Sequence, residues 1–362
     1  MKILLICEAS WTIVSFRKEL IEYLNSKGHD TYVIAGDADR IDEISKIANV
    51  KVIPYTNRSI NPLKLSKLGK QMKTYIKEVS PDIVMSFFIK PNTVGVKAAY
   101  KAGVRNIFPM VEGLGDPFQP KNFKGKIIRF ICTKMYRGAF KKAKQVIFLN
   151  HDDSDYFVTH KICKEEQVNV IPGIGIDSRA FNPEPLPKDK SVLMMSRLIE
   201  SKGVYDFCKI AKRVRETNKD IFFNLLGKEA SITKEDLKEY IENGDINYLG
   251  STDDVKPFIK DSTVLALPSF YREGLPRSIL EAMAMARPVV AYRNVGVNDC
   301  VFQNETGILV ESRNIEQFAE EIINLLNNEK RLKEYSKNAR EKIENTFDSH
   351  IINEKILGII SK

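Results

Sequence analysis

Short apolar runs alternate with amphipathic stretches along the whole chain. Seven of them, KILLIC (2–7), TYVIAG (31–36), VKVIPY (50–55), DIVMSFF (82–88), NIFPMVEG (106–113), QVIFLN (145–150) and VNVIP (168–172), precede a pause. Six follow it: SVLMMSR (191–197), IFFNLLG (221–227), INYLG (246–250), TVLALPS (263–269), PVVAYR (288–293) and GILVE (307–311). The runs are apolar throughout rather than alternating, the pattern of strands covered on both faces. Helical patterns lie between them, beginning with SFRKELIEYLNSKG, which favours parallel strands joined by crossover helices. The pause, IDSRAFNPEPLPKDK (176–190), is rich in proline and turn residues and reads as a linker. The expected fold is α/β, with two doubly wound Rossmann-like domains facing across a cleft. Their bounds are 1–175 and 176–346, and a C-terminal helix at about 347–362 is expected to pack back on the first. Ligands of such sheets bind outside the carboxyl ends of the strands.

A length of 362 residues suits two such domains. With 43% hydrophobic and 28% charged residues, the chain is neither disordered nor collagenous, and it can build cores without disulfide staples. No run of 18 apolar residues offers a membrane-spanning helix, and the five apolar residues before Glu8 are too few for a signal peptide. A cytoplasmic location is therefore expected. The five cysteines (Cys7, Cys132, Cys163, Cys208, Cys300) are scattered and never spaced C-x-x-C, as buried thiols of a reducing compartment would be. The net charge of +9 changes the picture, because residues 1–180 carry +11 and the remainder −2. The first domain then faces something anionic: nucleic acid, a phosphorylated substrate or an acidic membrane surface.

Candidate chemistry concentrates at strand ends. In PSFYREGLPRSILEAMAMARPVVA (268–291), Glu273 and Glu281 are separated by seven residues. Glu273 lies in the loop after a strand, and Gly274-Leu275-Pro276 opens the next helix, whose free N–H groups favour an anion or sugar oxygens. Glu281 could hold the two hydroxyls of a ribose. Taken alone, the two acids equally suit a helix cap and a solvent-facing helix position. In MMSRLIESKG (194–203), Arg197 and Lys202 stand at the mouth of a strand-to-helix loop, as a diphosphate clamp or as plain surface cations. Glycine loops at Pro172-Gly173-Ile174-Gly175 and Glu112-Gly113-Leu114-Gly115 allow close backbone approach, but neither is a full dinucleotide fingerprint.

Together these segments resemble glycosyltransferase family 4, retaining enzymes of the GT-B fold. Glu273 to Glu281 matches the family's E-x7-E motif, SRLIESKG its Arg/Lys clamp and VIPGIGID its V-I-P-N-G-V-D segment. A narrower resemblance is to bacterial enzymes that extend sugars on polyprenyl-diphosphate carriers, the PglA-type N-acetylgalactosaminyltransferases and capsule transferases. It is carried by SFR (15–17), KPNTVG (90–95) and VEGLG (111–115). The resemblance implies a UDP-sugar donor in the second domain and a polyprenyl-diphosphate-linked acceptor in the first, with no cofactor and no metal. It casts Glu273, Arg197 and Lys202 in the catalytic roles. Donor contacts fall to Arg197, Lys202, Gly227, Leu249, Glu273, Gly274, Leu275 and Glu281, and acceptor contacts to Arg17, Lys90, Asn92 and Glu112. A histidine that many members place near the donor sugar falls on Ile89 here, so that contact is not carried over.

The run KNFKGKIIRFICTKMYRGAFKKAK (121–144) holds nine Lys+Arg and no acid. With Ile127, Ile128, Phe130, Ile131, Met135 and Phe140 it suits an interfacial helix on anionic lipid, with Lys124, Lys126, Arg129 and Lys134 as membrane contacts. It equally suits a basic crossover helix packed on a sheet. The membrane reading puts the protein peripherally at the inner face of the cell membrane. The strings Asp37-Ala38-Asp39 and Asp153-Ser154-Asp155 and the four histidines are read as structural rather than metal-binding. Rival readings are a sugar-nucleotide epimerase and a non-enzymatic polyanion-binding protein. The second lacks a nucleic-acid motif, and no nucleic-acid partner is expected.

Overall fold

The computed structural model describes residues 1–55, 61–118 and 122–362, which form two compact units. Unit 1 comprises Met1–Ile174 and Ser349–Lys362, and unit 2 is Gly175–Asp348.

Unit 1 is built on seven strands: β1 (Lys2–Ile6), β2 (Asp30–Ala35), β3 (Asn49–Val52), β4 (Ile83–Phe87), β5 (Ile107–Val111), β6 (Val146–Phe148) and β7 (Val168–Val170). They pair in the order β3-β2-β1-β4-β5-β6-β7, every pairing parallel. The apolar runs serve two cores at once, because successive side chains leave a strand on opposite faces. Leu4 and Ile6 pack beneath the helices Pro62–Val79, Val96–Ala102 and Phe123–Phe140. Ile3 and Leu5 pack beneath Ser10–Phe16, Lys18–Ser26 and Ser349–Ile360. All four are fully buried, each worth about 1.5–3 kcal/mol. The edges are less covered: in β3, Asn49 and Lys51 are exposed, and the three residues of β7 are half-buried.

Unit 2 repeats the plan with β8 (Lys190–Met195), β9 (Ile221–Leu226), β10 (Asn247–Tyr248), β11 (Val264–Leu267), β12 (Val289–Tyr292) and β13 (Gly307–Val310), paired in parallel as β10-β9-β8-β11-β12-β13. The stretch 176–190 is fastened to this unit by two arginines. Arg287, fully buried, donates to the carbonyls of Glu184, Pro185, Ile259 and Lys260. Arg340 donates to those of Ser178, Phe181 and Ala284.

Each strand order reverses direction once, between β1 and β4 in unit 1 and between β8 and β11 in unit 2. At such a reversal the loops leaving the two central strands run to opposite sides and open a crevice beyond their carboxyl ends. The five cysteines are buried free thiols. Among the described residues, no helix is long and apolar enough to cross a membrane.

Candidate functional site

In unit 2 the loops that leave β8 and β11 interlock. Beyond β8 the chain passes exposed Arg197, turns through Glu200–Lys202 and enters the helix Val204–Arg215 at Gly203, whose φ is +79°. Only glycine suits that position: besides the left-handed backbone, a β-carbon there would strike the backbone of Pro268, beyond β11. With the loops this close, the amide of Phe270 donates to the Ser201 carbonyl at 3.0 Å. The Lys202 ammonium forms an ion pair with the Glu273 carboxylate and stands 5.1 Å from the centre of the Tyr271 ring. The two charged side chains are only 15% and 12% exposed. Lys202 is therefore not the plain surface cation that was one of its two sequence readings.

A second tier holds the Glu273 loop. The Asn294 side chain, just beyond β12, donates to the carbonyls of Ser269 (3.3 Å) and Tyr271 (2.7 Å). Gly296, at φ +78°, backs onto the carbonyls of Glu273 and Gly274. Gly274 and Leu275 lead to Pro276, the residue that caps the helix Arg277–Ala284. Glu281 lies one turn inside that helix, where Arg277 donates to it at 2.8 Å. Gly227 closes the end of β9: its amide donates to the Gly250 carbonyl at 2.7 Å, and a β-carbon would meet the Ser196 carbonyl beyond β8. Leu249 is exposed beyond β10. The crevice thus gathers cations, carboxylates and a helix N-terminus, the donor and acceptor set for a phosphorylated, hydroxylated ligand.

In unit 1 the expected acceptor residues separate into different environments. Arg17 is nearly fully buried, ion-paired with Glu112 beyond β5, and its guanidinium stacks 4.1 Å from the centre of the Phe87 ring. Asn92 is wholly internal: its oxygen accepts from the Ser86 hydroxyl (2.7 Å) and its amide donates to the Met110 carbonyl (2.6 Å), joining β4 to β5. Lys90 lies 5.8 Å from the centre of the Tyr55 ring and faces Glu8, an acid the sequence reading passed over. Burial pushes the Glu8 carboxyl up and the Lys90 ammonium down, and each charge partly offsets the other's shift.

Asp37 accepts hydrogen bonds from the Ser10 amide and hydroxyl, and buried Asp153 accepts from the Asn150 side chain. Among the described residues, no group of three His, Cys, Asp or Glu side chains is arranged to hold a metal ion. His151 opens the helix His151–Thr159 and His160 ends it. The basic run forms the helix Phe123–Phe140, and Lys121 lies outside the described residues. Phe140, counted as apolar surface in the interfacial reading, instead faces the core with Cys132 and Tyr136, as the crossover-helix alternative expects of one face. The opposite face exposes Phe123 (77%), Ile127 (45%) and Phe130 (58%) beside exposed Lys124, Lys126 and Lys134, with Arg129 half-buried. Phe123 had not been singled out, although its i, i+4, i+7 spacing with Ile127 and Phe130 is legible.

Comparison with known proteins matches residues 2–150 to the family "Glycosyl transferase 4-like" and residues 177–342 to "Glycosyl transferases group 1". The chain is 28% identical to the N,N'-diacetylbacillosaminyl-diphospho-undecaprenol alpha-1,3-N-acetylgalactosaminyltransferase of Campylobacter jejuni, covering 100% of this chain and 99% of that protein. It is 28% identical to the Escherichia coli UDP-Gal:alpha-D-GlcNAc-diphosphoundecaprenol alpha-1,3-galactosyltransferase, over 82% and 79% of the two chains. Among solved structures it resembles sucrose-phosphate synthase of Thermosynechococcus elongatus (TM-score 0.83, 18% identity, 100% and 98% covered). It also resembles Anabaena HepE in complex with UDP and glucose (TM-score 0.81, 19% identity, 100% and 99% covered). These likenesses show the GT-B fold.

Proposed function

Since the chain belongs to the glycosyltransferases of the 4-like and group 1 families, we propose that it transfers a sugar, an N-acetylhexose or a hexose, from a UDP-sugar to an undecaprenyl-diphosphate-linked saccharide with retention of configuration. The observation that carries the donor half is the meeting of Lys202 and Glu273, 71 residues apart in sequence, across the β8/β11 crevice. The carrier-linked acceptor follows from the two relatives at 28% identity, whose names specify undecaprenol-linked substrates, and so does UDP from the E. coli relative.

In this reading Arg197 and Lys202 bind the donor diphosphate, and Glu281 binds the ribose. The carboxylate of Glu273, with the amides of Gly274 and Leu275, binds hydroxyls of the donor sugar. As the bond from the anomeric carbon to the β-phosphate oxygen breaks, charge accumulates on that oxygen, and the two cations stabilise it more than they stabilise the ground state. The acceptor hydroxyl bonds to the same face of the anomeric carbon and gives its proton to the departing phosphate oxygen, so no protein carboxylate forms a covalent intermediate. Glu273, ion-paired with Lys202, also fixes the ammonium before substrate arrives. The reaction is read as metal-independent, since the clamp supplies positive charge where a metal otherwise would. We place the enzyme peripherally on the cytoplasmic face of the membrane through the exposed face of Phe123–Phe140. The test is UDP release from a panel of UDP-sugars with and without N-acetylglucosaminyl-diphosphoundecaprenol, followed by NMR of the product's anomeric proton. An inverted linkage refutes retention, and epimerisation of the donor without transfer refutes the transferase reading.

A further inference from the structure

Unit 1 has a strand-order reversal of its own, and its occupants are Glu8 and Lys90. Glu8 follows β1 by two residues and Lys90 follows β4 by three, so the two stand on either side of the β1/β4 crevice, where open α/β sheets take ligands. The backbone around them is shaped for a site. Phe88, between β4 and Lys90, adopts φ +71°, a costly conformation for a bulky residue, and Pro91–Gly95 directly after Lys90 is a widened π-helical turn. Gly36, beyond β2, lacks a side chain where one would strike the Glu8 backbone and crowd the Tyr55 ring at 3.1 Å. Tyr55 is thereby drawn in, its hydroxyl donating to the Cys7 carbonyl at 3.0 Å and its ring lying beneath the Lys90 ammonium.

We propose that Glu8 and Lys90, with the ring of Tyr55, bind hydroxyl groups of the acceptor's saccharide. The inference rests on the transferase reading and deepens it. A carboxylate beside an ammonium suits an uncharged polyol: the carboxylate accepts from hydroxyls and the ammonium donates to them. In the proposed reading the unit 2 crevice takes the nucleotide diphosphate, with exposed Arg197 beside the Lys202–Glu273 pair, so the unit 1 crevice is left for the other substrate. The helix Phe123–Phe140 starts shortly after β5, on the same strand-end side of the sheet, where a lipid-borne saccharide would arrive.

The test uses the full chain, a UDP-sugar that the parent turns over, and two acceptors: N-acetylglucosaminyl-diphosphoundecaprenol and the soluble octyl N-acetylglucosaminide. Glu8→Gln and Lys90→Met are each compared with the parent, with thermal unfolding as the control for folding. Loss of one hydrogen bond to a charged group predicts an acceptor KM raised at least about tenfold with both acceptors. The donor KM and the stabilisation by UDP stay within about threefold of the parent on the same scale. If Glu8→Gln fails to fold, Lys90→Met and Tyr55→Leu carry the same comparison. Folded variants with an unchanged acceptor KM, or with a raised donor KM instead, overturn the assignment and leave the transferase reading intact. A parent that turns over no UDP-sugar with either acceptor overturns that reading and this inference with it.

Discussion

Replacing Gly296 with alanine tests whether the Glu273 loop belongs to the reacting centre. The residue sits at φ +78°, and a β-carbon there would collide with the Gly274 carbonyl oxygen and stand 2.9 Å from that of Glu273. Both obstacles are backbone, so neither can rotate aside. Two costs follow. The left-handed conformation itself costs about 1–2 kcal/mol for a residue with a side chain. Relief of the collision must then move the Glu273–Gly274 peptide by on the order of 1 Å, and displacement of that size at a reacting site costs about a hundredfold in rate. Gly244→Ala separates the two costs. Gly244 is also left-handed, at φ +72°, but nothing lies within 4 Å of the β-carbon it would gain. Both variants should unfold a few degrees lower, at roughly 2–4 °C per kcal/mol. In a UDP-release assay kcat/KM should fall about a hundredfold for Gly296→Ala and by less than about twofold for Gly244→Ala. Near-parent turnover by a folded Gly296→Ala would show that the carbonyls of 273 and 274 can shift without consequence, and Glu273 would lose its place in the mechanism.

Arg197→Ala and Lys202→Met should each reduce turnover by about one to two orders of magnitude, the worth of a hydrogen bond to a charged group; normal turnover in both would remove the clamp. Exhaustive EDTA treatment should leave activity unchanged, and a loss that Mg²⁺ or Mn²⁺ restores would refute the metal-independent reading. In vesicle sedimentation, replacing Lys124, Lys126, Arg129 and Lys134 with Gln should weaken binding to anionic vesicles at least about tenfold, at about 1 kcal/mol per basic residue. Phe123→Ser with Phe130→Ser should weaken binding to neutral and anionic vesicles alike, and parent-like binding by both sets would leave the helix a plain crossover.

All thirteen apolar runs contain strands; for the nine inside the two sheets the reason is that a central parallel strand buries both faces, so nearly its whole sequence is apolar. Strand order was not legible, and with it went the pairing of Lys202 with Glu273, which the reversal between β8 and β11 produces rather than any local pattern. The motif at 273–281 announced itself through spacing, whereas Asn294 and Gly296 sit in a different loop and gain meaning only when β12 lies beside β11. Asn92 and Arg17 show the converse. A polar residue in a suggestive string looks available until its partners, Ser86 and Met110 or Glu112, prove to be inside the same fold. Glu8 left no trace because one acid after a strand has no period, and its opposite number, Lys90, stands 82 residues away.

The helix Ser349–Ile360 carries a consequence for biosynthesis. It packs beside Lys18–Ser26, setting His350 edge-on to Tyr23, and contributes Ile352, Ile356, Ile359 and Ile360 to the core under β1 and β4. Unit 1 is therefore begun before unit 2 is made and finished only after all of unit 2 has been made. At about 5–20 residues per second, unit 2 imposes a wait of roughly ten to thirty seconds. During that interval the apolar face of Lys18–Ser26, with Leu20 and Leu24, lacks its cover, while unit 2, one continuous segment, is free to fold as soon as it emerges. A ribosome that stops short of residue 349 would leave a folded unit 2 tethered to an open, sticky unit 1, a product suited to chaperone capture and proteolysis.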